Sequence, residues 1–587
     1  MQSNLKGKTR LDSKAESPIN CLTLENDCIL KALILMEQIT SSSRGPGGKI
    51  KIVQNSLGGH LTLTSTSTRL LNAMSFTNPM VKLITSSAQG HLKKFNDAGH
   101  LMMSVSLNLI LQSLKLGTSR RILTDLYEIF LGMCADYIQC KTSSPIKIDV
   151  MFSDLKQMSS IVKSILISKP LCQFAVRNLK LCSDLLLETF LMSLPNCETV
   201  TRVSDSVNVV ALQGQPIEKS NVLQGLLLQC PEIVSHSNQI LNVNTVENED
   251  STFHCLVALV TASMSGDSEE VGSMQYESDI SVDTDYCILG ILEDFCDKLT
   301  AANVGLLLCQ RVVHPRLKYR LQQQSIVVVE RLGVTMTPYI QDVSGAVPIR
   351  SFHNLDTEVL GKVASVEHQI FLGKSYMLLS PLQDKCVVSL VLYSQEEEQL
   401  SELKMLCSTC LLSLRQLVQS PHALLGAGCW QTHLAAMLNR KVKANQVDII
   451  RRTGCTVKCL TQACKVFTNT LQKIAAMGTG HDRQDHMSDL EHGHLWRLPK
   501  GSRPDPDAVL RCSCGAVKQR ISKLFYLSET PDIVEQKKLD QTGHSKLHTA
   551  DTDVILDLSA PCVAALTSGV LTANTVLSIG QFIQDIN

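Results

Sequence analysis

The first third of the chain carries apolar residues at helical spacing. After a polar start, one face of a predicted helix holds Ile29, Leu33, Met36 and Ile39. Asn26 or Asp27 would cap this helix, and it must stop at the glycine- and proline-rich run 45–48. A second helix is predicted from Gly99 to Gly117, and its apolar face holds Met103, Leu107, Ile110, Leu111 and Leu114. Helical patterning continues to about residue 195.

The middle of the chain has short apolar runs in place of helical spacing. Strands are predicted at Val207–Val210, Val222–Leu228 and Phe253–Val260. An alternation then follows, made of a strand at Val304–Cys309, a helix at Pro315–Gln323, a strand at Ile326–Val329 and a helix near Pro338. This β-α-β-α order predicts a parallel sheet in an α/β unit.

Helical spacing returns beyond about residue 400, where one face holds Leu403, Leu406, Cys410, Leu414 and Leu417. Because the two ends are alike and the middle differs, the pattern predicts a multidomain α+β protein. A helical domain would be built from both chain ends, with an α/β domain inserted between them. Two polar stretches, 265–285 and 478–551, are interpreted as solvated loops, and a surface for a partner is the alternative.

The composition excludes some classes of function. The chain has 587 residues, with 55 Lys plus Arg balanced by 55 Asp plus Glu, so no excess positive charge favours nucleic acid or an anionic membrane surface. The N-terminus lacks the apolar core of a signal peptide, and the apolar stretch Leu101–Leu116 is broken by polar residues. We expect a soluble cytosolic protein without a membrane span. Its 22 cysteines, among them Cys28, Cys182 and Cys309, are interpreted as buried free thiols.

Three turns are candidates for binding a phosphate or a metal ion. Gly45, Pro46 and Gly47 follow a helix and could bring backbone N–H groups close to an anion, although a plain turn is the simpler explanation. Asp97 lies near the start of a helix, where it could hold Mg²⁺ or only cap the helix. Gly426-Ala427-Gly428 precedes another helix, and tight helix packing is its alternative explanation.

Metal binding by cysteine and histidine is a further candidate. Cys407 and Cys410 have the spacing of zinc ligands but fall on an apolar helix, so we interpret them as core residues. Cys512 and Cys514 are close in sequence, and a polar loop holds His481, His486, His492 and His494. We interpret this loop as solvated and predict no metal site.

Read together and in order, the three turns resemble the nucleotide site of group II chaperonins. In that family the first and third turns cradle the nucleotide and the second supplies a magnesium ligand. Residues 308–313, Leu-Cys-Gln-Arg-Val-Val, resemble an apical-domain strand of the same family. The resemblance covers residues 22–582. It is closest to vertebrate chaperonin-like proteins linked to Bardet-Biedl syndrome, in the segments 167–170, 313–315, 424–429, 432–436 and 493–496.

The resemblance implies three domains. Residues 22–150 and 403–587 would form the helical equatorial domain, which carries the polar insertion 478–551. Residues 151–204 and 371–402 would form a small intermediate domain, and 205–370 the α/β apical domain. The N-terminal residues 1–21 are expected to be disordered.

The chain departs from active members of the family at the residues that carry the chemistry. The family's Gly-Asp-Gly-Thr-Thr is Asn-Asp-Ala-Gly-His at 96–100, which keeps only the Asp. A second carboxylate is replaced by Thr66, the hydrolytic Asp by Thr409, and a Glu after the third turn by Gln431. Without a carboxylate to orient the attacking water, the rate of ATP hydrolysis should fall by a factor of about 10²–10⁴. We therefore expect no efficient ATP hydrolysis and no catalytic residue, although ATP with Mg²⁺ could still bind.

The resemblance implies a folding and assembly factor. Its expected partners are other chaperonin-like Bardet-Biedl proteins, the cytosolic ring chaperonin, and subunits of the BBSome, the ciliary trafficking coat, as clients. Its expected location is the cytosol, the centrosome and the base of the cilium. The alternative is an active ATP-dependent chaperonin subunit that folds cytosolic clients.

Overall fold

The computed structural model divides the chain into two compact units, and each is described by itself. The described residues are 19–54, 61–139, 146–172, 176–194, 207–230, 239–240, 245–247, 253–266, 284–352, 355–382, 386–478, 486–489, 493–497, 509–516, 518–520, 524–526 and 554–585. The first unit combines 1–150, 168–170 and 422–587, and the second combines 151–167 and 171–421.

The first unit is mainly helical. Its helices are α1 (Asp27–Ser42), α2 (Ser67–Ala73), α3 (Pro79–Phe95), α4 (Gly99–Ser113), α5 (Arg120–Gln139), α12 (Cys429–Ala444), α13 (Gln446–Thr453), α14 (Val457–Gly478) and α15 (Ser559–Ser578). Its strands are β1 (Ile19–Leu22), β2 (Lys51–Gln54), β3 (Leu61–Thr64), β4 (Lys147–Asp149), β17 (His422–Leu425), β18 (His486–Asp489), β19 (Leu495–Arg497), β20 (Val509–Arg511), β21 (Lys518–Arg520), β22 (Leu524–Tyr526), β23 (Leu556–Leu558) and β24 (Phe582–Asp585).

Helix α4 lies at the centre of this unit because it is apolar or small on almost every side. It packs against α1, α3, α14 and α15, and nearly all of its side chains are buried. The Ser106 hydroxyl donates to the carbonyl oxygens of Met102 and Gly569, the latter 2.9 Å away in α15. A Cβ on Gly569 would lie 2.8 Å from the Val105 side chain, so a glycine is needed where α15 crosses α4.

Aromatic packing fills the core next to α4. The rings of Tyr127 and Phe130 on α5 contact Phe467 on α14, and the Phe130–Phe467 pair meets edge to face with centroids 5.8 Å apart. The Tyr127 hydroxyl lies 2.7 Å from the hydroxyl of Ser113, so this buried polar group is paired.

Short strands hold distant parts of the first unit together. β17 pairs with β4 on one side and with β23 on the other, in both cases antiparallel. β1 pairs with β24, so 19–21, which were expected to be disordered, form a strand. That expectation was wrong because the pairing partner lies more than 500 residues away in sequence, where no local pattern reveals it. Residues 1–18 lie outside the described part of the chain.

The second unit contains most of the β-structure. Its helices are α6 (Leu155–Ile167), α7 (Val176–Met192), α8 (Thr284–Ala301), α9 (Pro315–Gln323), α10 (Thr337–Ser344) and α11 (Glu397–Gln419). Its strands are β5 (Val207–Gln213), β6 (Asn221–Gln224), β7 (Leu226–Gln229), β8 (Gln239–Ile240), β9 (Thr245–Glu247), β10 (Phe253–Val260), β11 (Leu306–Cys309), β12 (Val327–Val329), β13 (Gly361–Val363), β14 (Ser365–Phe371), β15 (Lys374–Ser380) and β16 (Val388–Ser394).

The predicted parallel sheet is present in the second unit. β10 pairs with β11 and β11 with β12, both in parallel, and α9 connects β11 to β12. The inner face of the sheet packs on α8 and α9 through Ala258, Leu307 and Val328. A strand predicted over 222–228 is two strands, because Gly225 breaks it with a φ of 119°.

The structure can be compared with the predicted burial of three cysteines and with the predicted domain boundaries. Cys182 and Cys309 are buried as predicted, but Cys28 is exposed because it lies on the solvent side of α1. The break predicted at 150 coincides with a boundary between the compact units, whereas 403–421 belongs to the second unit with the rest of α11. The division into three domains stays a prediction.

Helix α15 has the length and apolar content of a membrane span, as no other helix does within the described residues. Of its most apolar window, 56% is buried inside the protein. Ala565, Val570 and Ala573 belong to the same core as α4. A helix buried in a protein core passes the same test of length and composition, and α15 packs in such a core.

Candidate nucleotide-binding turns and a cysteine-histidine cluster

The first candidate turn lies between α1 and β2 and is closed by its own backbone. Gly45 has a φ of 75°, which favours glycine. The Gly48 N–H donates to the Gly45 carbonyl at 2.9 Å, and a Cβ on Gly48 would lie 2.8 Å from the Ser43 carbonyl oxygen. Pro46 and Gly47 are exposed at the tip. The turn therefore presents backbone to solvent, as a loop that approaches a phosphate must.

The second turn joins α3 to α4 and has Asp97 at its centre. Asn96 and Ala98 have left-handed backbone, with φ values of 51° and 58°. The family motif has glycine at these two positions, so the chain keeps the backbone shape that glycine allows without keeping the glycines. His91 Nε2 lies 3.0 Å from the Asp97 carbonyl oxygen. Ala98 occupies the cap position of α4 without a side-chain bond, so capping by Asp97 is not observed.

Thr66 lies between β3 and α2, where the family has a carboxylate. It is buried, and its hydroxyl lies 3.0 Å from the hydroxyl of Thr64, which also accepts a hydrogen bond from the Thr66 N–H. The neighbouring Ser65 carbonyl lies 3.2 Å from Nε2 of His100 on α4. A neutral hydroxyl bonded within its own segment thus replaces a group that could bind a metal ion.

His100, which contacts this segment, is uncharged at neutral pH. Burial lowers its pKa to about 3, and the positive charges of Lys169, Arg44 and Lys51 act in the same direction. The contact with Ser65 raises the pKa but is outweighed. His100 therefore adds no positive charge for a phosphate.

The third turn follows β17 and is tightly packed. A Cβ on Gly426 would lie 3.0 Å from Oδ1 of Asp557 in β23. Ala427 and Gly428 have φ values of 53° and 82°, and a Cβ on Gly428 would lie 2.6 Å from the Ala475 carbonyl oxygen. The tight packing offered as an explanation for these glycines is therefore observed. Approach of a ligand to the turn stays a prediction.

Arg44 lies directly before the first turn. Its Nη1 donates to the carbonyl of Ile474 on α14 at 3.3 Å. Burial lowers the pKa of Arg44, whereas the negative charges of Asp557 and Asp97 raise it. The guanidinium is therefore within electrostatic reach of the acid in the second turn and the acid beside the third. That the three turns form one nucleotide site stays a prediction.

The third turn has also lost a carboxylate. Gln431, which replaces a family Glu, is buried and in its favoured amide orientation donates to the Gly428 carbonyl at 3.1 Å. The neighbouring Trp430 is fully buried, and its indole N–H donates to Asp557 Oδ2 at 3.1 Å. The acid that remains beside this turn is thus engaged by a side chain of the protein.

Thr409 lies on α11 in the second unit. It is buried, and its hydroxyl donates to the carbonyl of Met405 one turn earlier, at 3.0 Å. Its side chain has no group that ionises near neutral pH, so it cannot serve as a general base there.

A fourth group of side chains meets next to the third turn. Cys429, the first residue of α12, lies against His494, Cys512 and Cys514 from the polar insertion. All four are buried, and their donor atoms lie within 4.8 Å of one another. Hydrogen bonds with Cys429 and Cys512 hold the pKa of the Cys514 thiol far below its ordinary value. The predicted absence of a metal site is untested, but this cluster argues against it.

The other candidate ligands lie elsewhere. Cys407 and Cys410 are buried on α11, as expected of core residues, and burial raises the pKa of Cys407 well above its ordinary value. His481 and His492 lie outside the described residues. The backbone of His486 is in β18.

Comparison with known proteins identifies the class. Residues 36–587 match the model of the TCP-1/cpn60 chaperonin family. The chain belongs to this family, which confirms the predicted multidomain chaperonin fold class, and its function is chaperonin-like.

Individual relatives show which members of the family this chain resembles. The chain is 29% identical to "Molecular chaperone MKKS" of Homo sapiens over 585 residues, 99% of this chain and 100% of the human protein. It is 30% identical to the protein of the same name from Mus musculus, with the same coverage. Thermosome subunit alpha of Sulfolobus acidocaldarius is 22% identical over 71% of this chain and 74% of its own length. The predicted likeness to a vertebrate chaperonin-like protein is thereby confirmed.

Sequence reasoning missed three residues of the site. Arg44 is next to the first turn, but no local pattern shows that its side chain turns inward. His100 replaces a family hydroxyl, which was a signal of changed chemistry. Cys429 entered the sequence analysis only as the last residue of the resembling segment 424–429, and its partner Cys512 lies 83 residues away.

Proposed function

We propose that this protein is a chaperonin-like folding and assembly factor that helps to assemble the BBSome and does not hydrolyse ATP efficiently. It acts with other chaperonin-like Bardet-Biedl proteins and the cytosolic ring chaperonin. It works in the cytosol, at the centrosome and at the base of the cilium. The competing function is that of an active ATP-dependent chaperonin subunit.

The observation that carries the proposal is the absence of two family carboxylates beside the candidate nucleotide-binding turns. Thr66 offers a hydroxyl already bonded to Thr64, and Gln431 replaces an acid. The remaining Asp97 lies within reach of the positive charge of Arg44, which competes with a metal ion for it. The exposed turn at Pro46 suits a phosphate, but these donors do not suit the Mg²⁺ centre of an ATPase.

A chaperone without an ATP cycle can still hold a client by mass action. Binding a folding intermediate needs accessible apolar surface. The second unit exposes Tyr319 on α9 and Val334 before α10, with 65% and 74% of each residue accessible. A client-binding role for that unit rests on the family membership, and these exposed side chains are the ones to substitute when testing it.

Turnover of ATP by the purified full-length protein tests the chemistry. We expect no phosphate release above that of an Asp97→Ala variant, with an archaeal thermosome as the positive control. A rate close to that of the thermosome, abolished by Asp97→Ala, would refute the proposal.

Rescue of depleted ciliated cells separates the two functions. If the protein acts without hydrolysis, Asp97→Ala should restore BBSome assembly as well as the wild type does, measured by native size fractionation of BBSome subunits. Failure of Asp97→Ala to rescue, at equal protein level, would support the ATP-driven alternative.

Partners and location are tested in the same cells. BBSome subunits and the ring chaperonin should co-purify with the tagged protein, which should concentrate at the centrosome. Unaltered BBSome assembly after complete depletion would rule out the assembly role.

A further inference from the structure

We propose that Cys429, His494, Cys512 and Cys514 form a structural zinc site that clamps the polar insertion onto the third glycine turn. The inference is independent of the function proposed above. It rests on the geometry of four buried side chains and on the segments that they join.

The distances between the donor atoms suit one tetrahedral ion. Sγ of Cys429 lies 3.3 Å from Sγ of Cys512, and Nδ1 of His494 lies 3.2 and 3.5 Å from Sγ of Cys512 and Cys514. Around a zinc ion with its usual bond lengths, tetrahedral sulfurs are about 3.8 Å apart, and a sulfur and a nitrogen about 3.6 Å. These three distances are each within about half an ångström of the tetrahedral values, and all four donor atoms lie within 4.8 Å of one another.

The backbone holds these ligands as zinc sites usually do. The Gly515 N–H donates to the Cys512 carbonyl at 2.8 Å, and Gly515 has a φ of 77°, so both cysteines lie on a tight turn. His494 follows Gly493, where a Cβ would lie 2.3 Å from Cα of His433. Only glycine allows so close an approach, and it places the imidazole against Cys429.

The cluster would stabilise segments that have little regular structure of their own. β19 and β20 are three residues long, and the Trp496 indole joins them by donating to the Leu510 carbonyl at 3.0 Å. Strands this short form few backbone hydrogen bonds, and a bound metal ion is a common means of stabilising such segments. Four zinc-type ligands that close the coordination sphere indicate a structural rather than a catalytic ion.

The clamp acts on the third turn because its ligands flank that turn. Cys429 directly follows Gly428, and a Cβ on Gly428 would lie 2.8 Å from the Leu495 side chain. The Ile555 N–H donates to the Cys514 carbonyl at 2.9 Å, just before β23, which pairs with β17. An ion bound by these four residues would therefore restrain the third turn by attaching the polar insertion next to it.

Metal content of the full chain, purified without a histidine tag, is the first test. We expect about one zinc per chain by elemental analysis, and an X-ray absorption spectrum with three sulfurs at about 2.3 Å and one nitrogen. The Cys512→Ser/Cys514→Ser variant should lose the metal. Two matched controls should keep it, Cys28→Ser at an exposed cysteine and Cys296→Ser at a buried one outside the cluster.

Measurements on the wild-type protein can overturn the proposal even if the double variant does not fold. The proposal fails if protein from zinc-replete cells contains less than about a tenth of a zinc ion per chain. It also fails if the X-ray absorption spectrum shows no sulfur bound to the zinc. A disulfide between Cys429 and Cys512, found by mass spectrometry of thiol-blocked protein, would also overturn it.

Hydrogen exchange tests the clamping role. Removal of the metal with a chelator should increase amide exchange in the peptide spanning 426–431 by at least severalfold, while α9 in the second unit stays unchanged. Equal exchange with and without the metal would overturn the role assigned to the ion.

Discussion

The buried His100 makes the stability of the first unit depend on pH. In the unfolded chain a histidine has its ordinary pKa of 6.5, whereas burial lowers that of folded His100 to about 3. Between these values the unfolded state binds more protons than the folded state, so stability falls as the pH falls. The stabilising contribution is complete above about pH 6.5 and is lost progressively down to about pH 3.

The size of the effect follows from the same two pKa values. At pH 5 the unfolded histidine is almost fully protonated while the folded one is neutral. The pH then lies 1.5 below the unfolded pKa, and each such unit is worth about 1.4 kcal/mol, so the loss is about 2 kcal/mol. This value is insensitive to the folded pKa as long as that pKa stays below about 4.

A His100→Gln variant isolates this effect. Its amide nitrogen can still donate to the Ser65 carbonyl, but it does not titrate. We expect wild-type protein to lose about 2 kcal/mol more than the variant between pH 7.5 and pH 5. The assay is urea unfolding read by proteolysis of peptides from α4, which reports on the first unit alone.

His91 serves as an internal reference. Burial also lowers its pKa, so it destabilises the fold in acid in the same direction, but it is present in both proteins and cancels. Parallel pH profiles for wild type and His100→Gln would show that His100 is hydrated or charged in the folded state, and the reasoning would fail.

Three further predictions concern packing and buried polar groups. Phe130→Ala removes an aromatic ring from the α5–α14 core and should cost the first unit about 3–5 kcal/mol in urea unfolding. Gly225→Ala should cost the second unit more than about 3 kcal/mol, measured by proteolysis in urea, because a Cβ would lie 2.5 Å from the Leu379 carbonyl oxygen. Glu37→Ala should cost about 1–3 kcal/mol in the same assay, because Lys473 Nζ lies 2.7 Å from the Glu37 carboxylate.

Each of these variants has a matched control. Phe130→Leu should cost clearly less than Phe130→Ala, because most of the buried volume remains. Gly214→Ala, at a positive φ but with open space around the missing Cβ, should cost less than Gly225→Ala. Glu37→Gln keeps an oxygen for Lys473 but removes the charge, so it should recover only part of the loss, whereas a Gln variant as stable as the wild type would refute an electrostatic contribution.

Local patterns predicted the elements of the fold. The helix α9 has the predicted bounds, since Pro315 begins it and the apolar residues Leu317 and Leu321 face the core. Asn26 caps α1 as expected. The parallel pairing of β11 and β12 followed from the alternation of strands and helices that begins at residue 304. These features depend on residues that are close in sequence.

Features that depend on distant residues could not be predicted. Nothing near Arg44 indicates that its charge interacts with Asp97 and Asp557, which are 53 and 513 residues away in sequence. Cys512 and Cys514, with His494 nearby, were a partial signal of a metal site. The remaining ligand, Cys429, begins an apolar helix, where a cysteine is most often a core residue, and only the tertiary fold brings it to the others.

Helix α4 leaves the ribosome long before α15, its main partner, has been made. The two helices are separated by roughly 450 residues, which at about 5–20 residues per second means a wait of roughly 20–90 s. The second unit lies within that interval of the chain, so it can complete its own core first. During this time α1 and α3 can cover part of α4, but the faces that α14 and α15 will cover stay exposed. We therefore expect the first unit to be prone to aggregation until the C-terminal helices have been made.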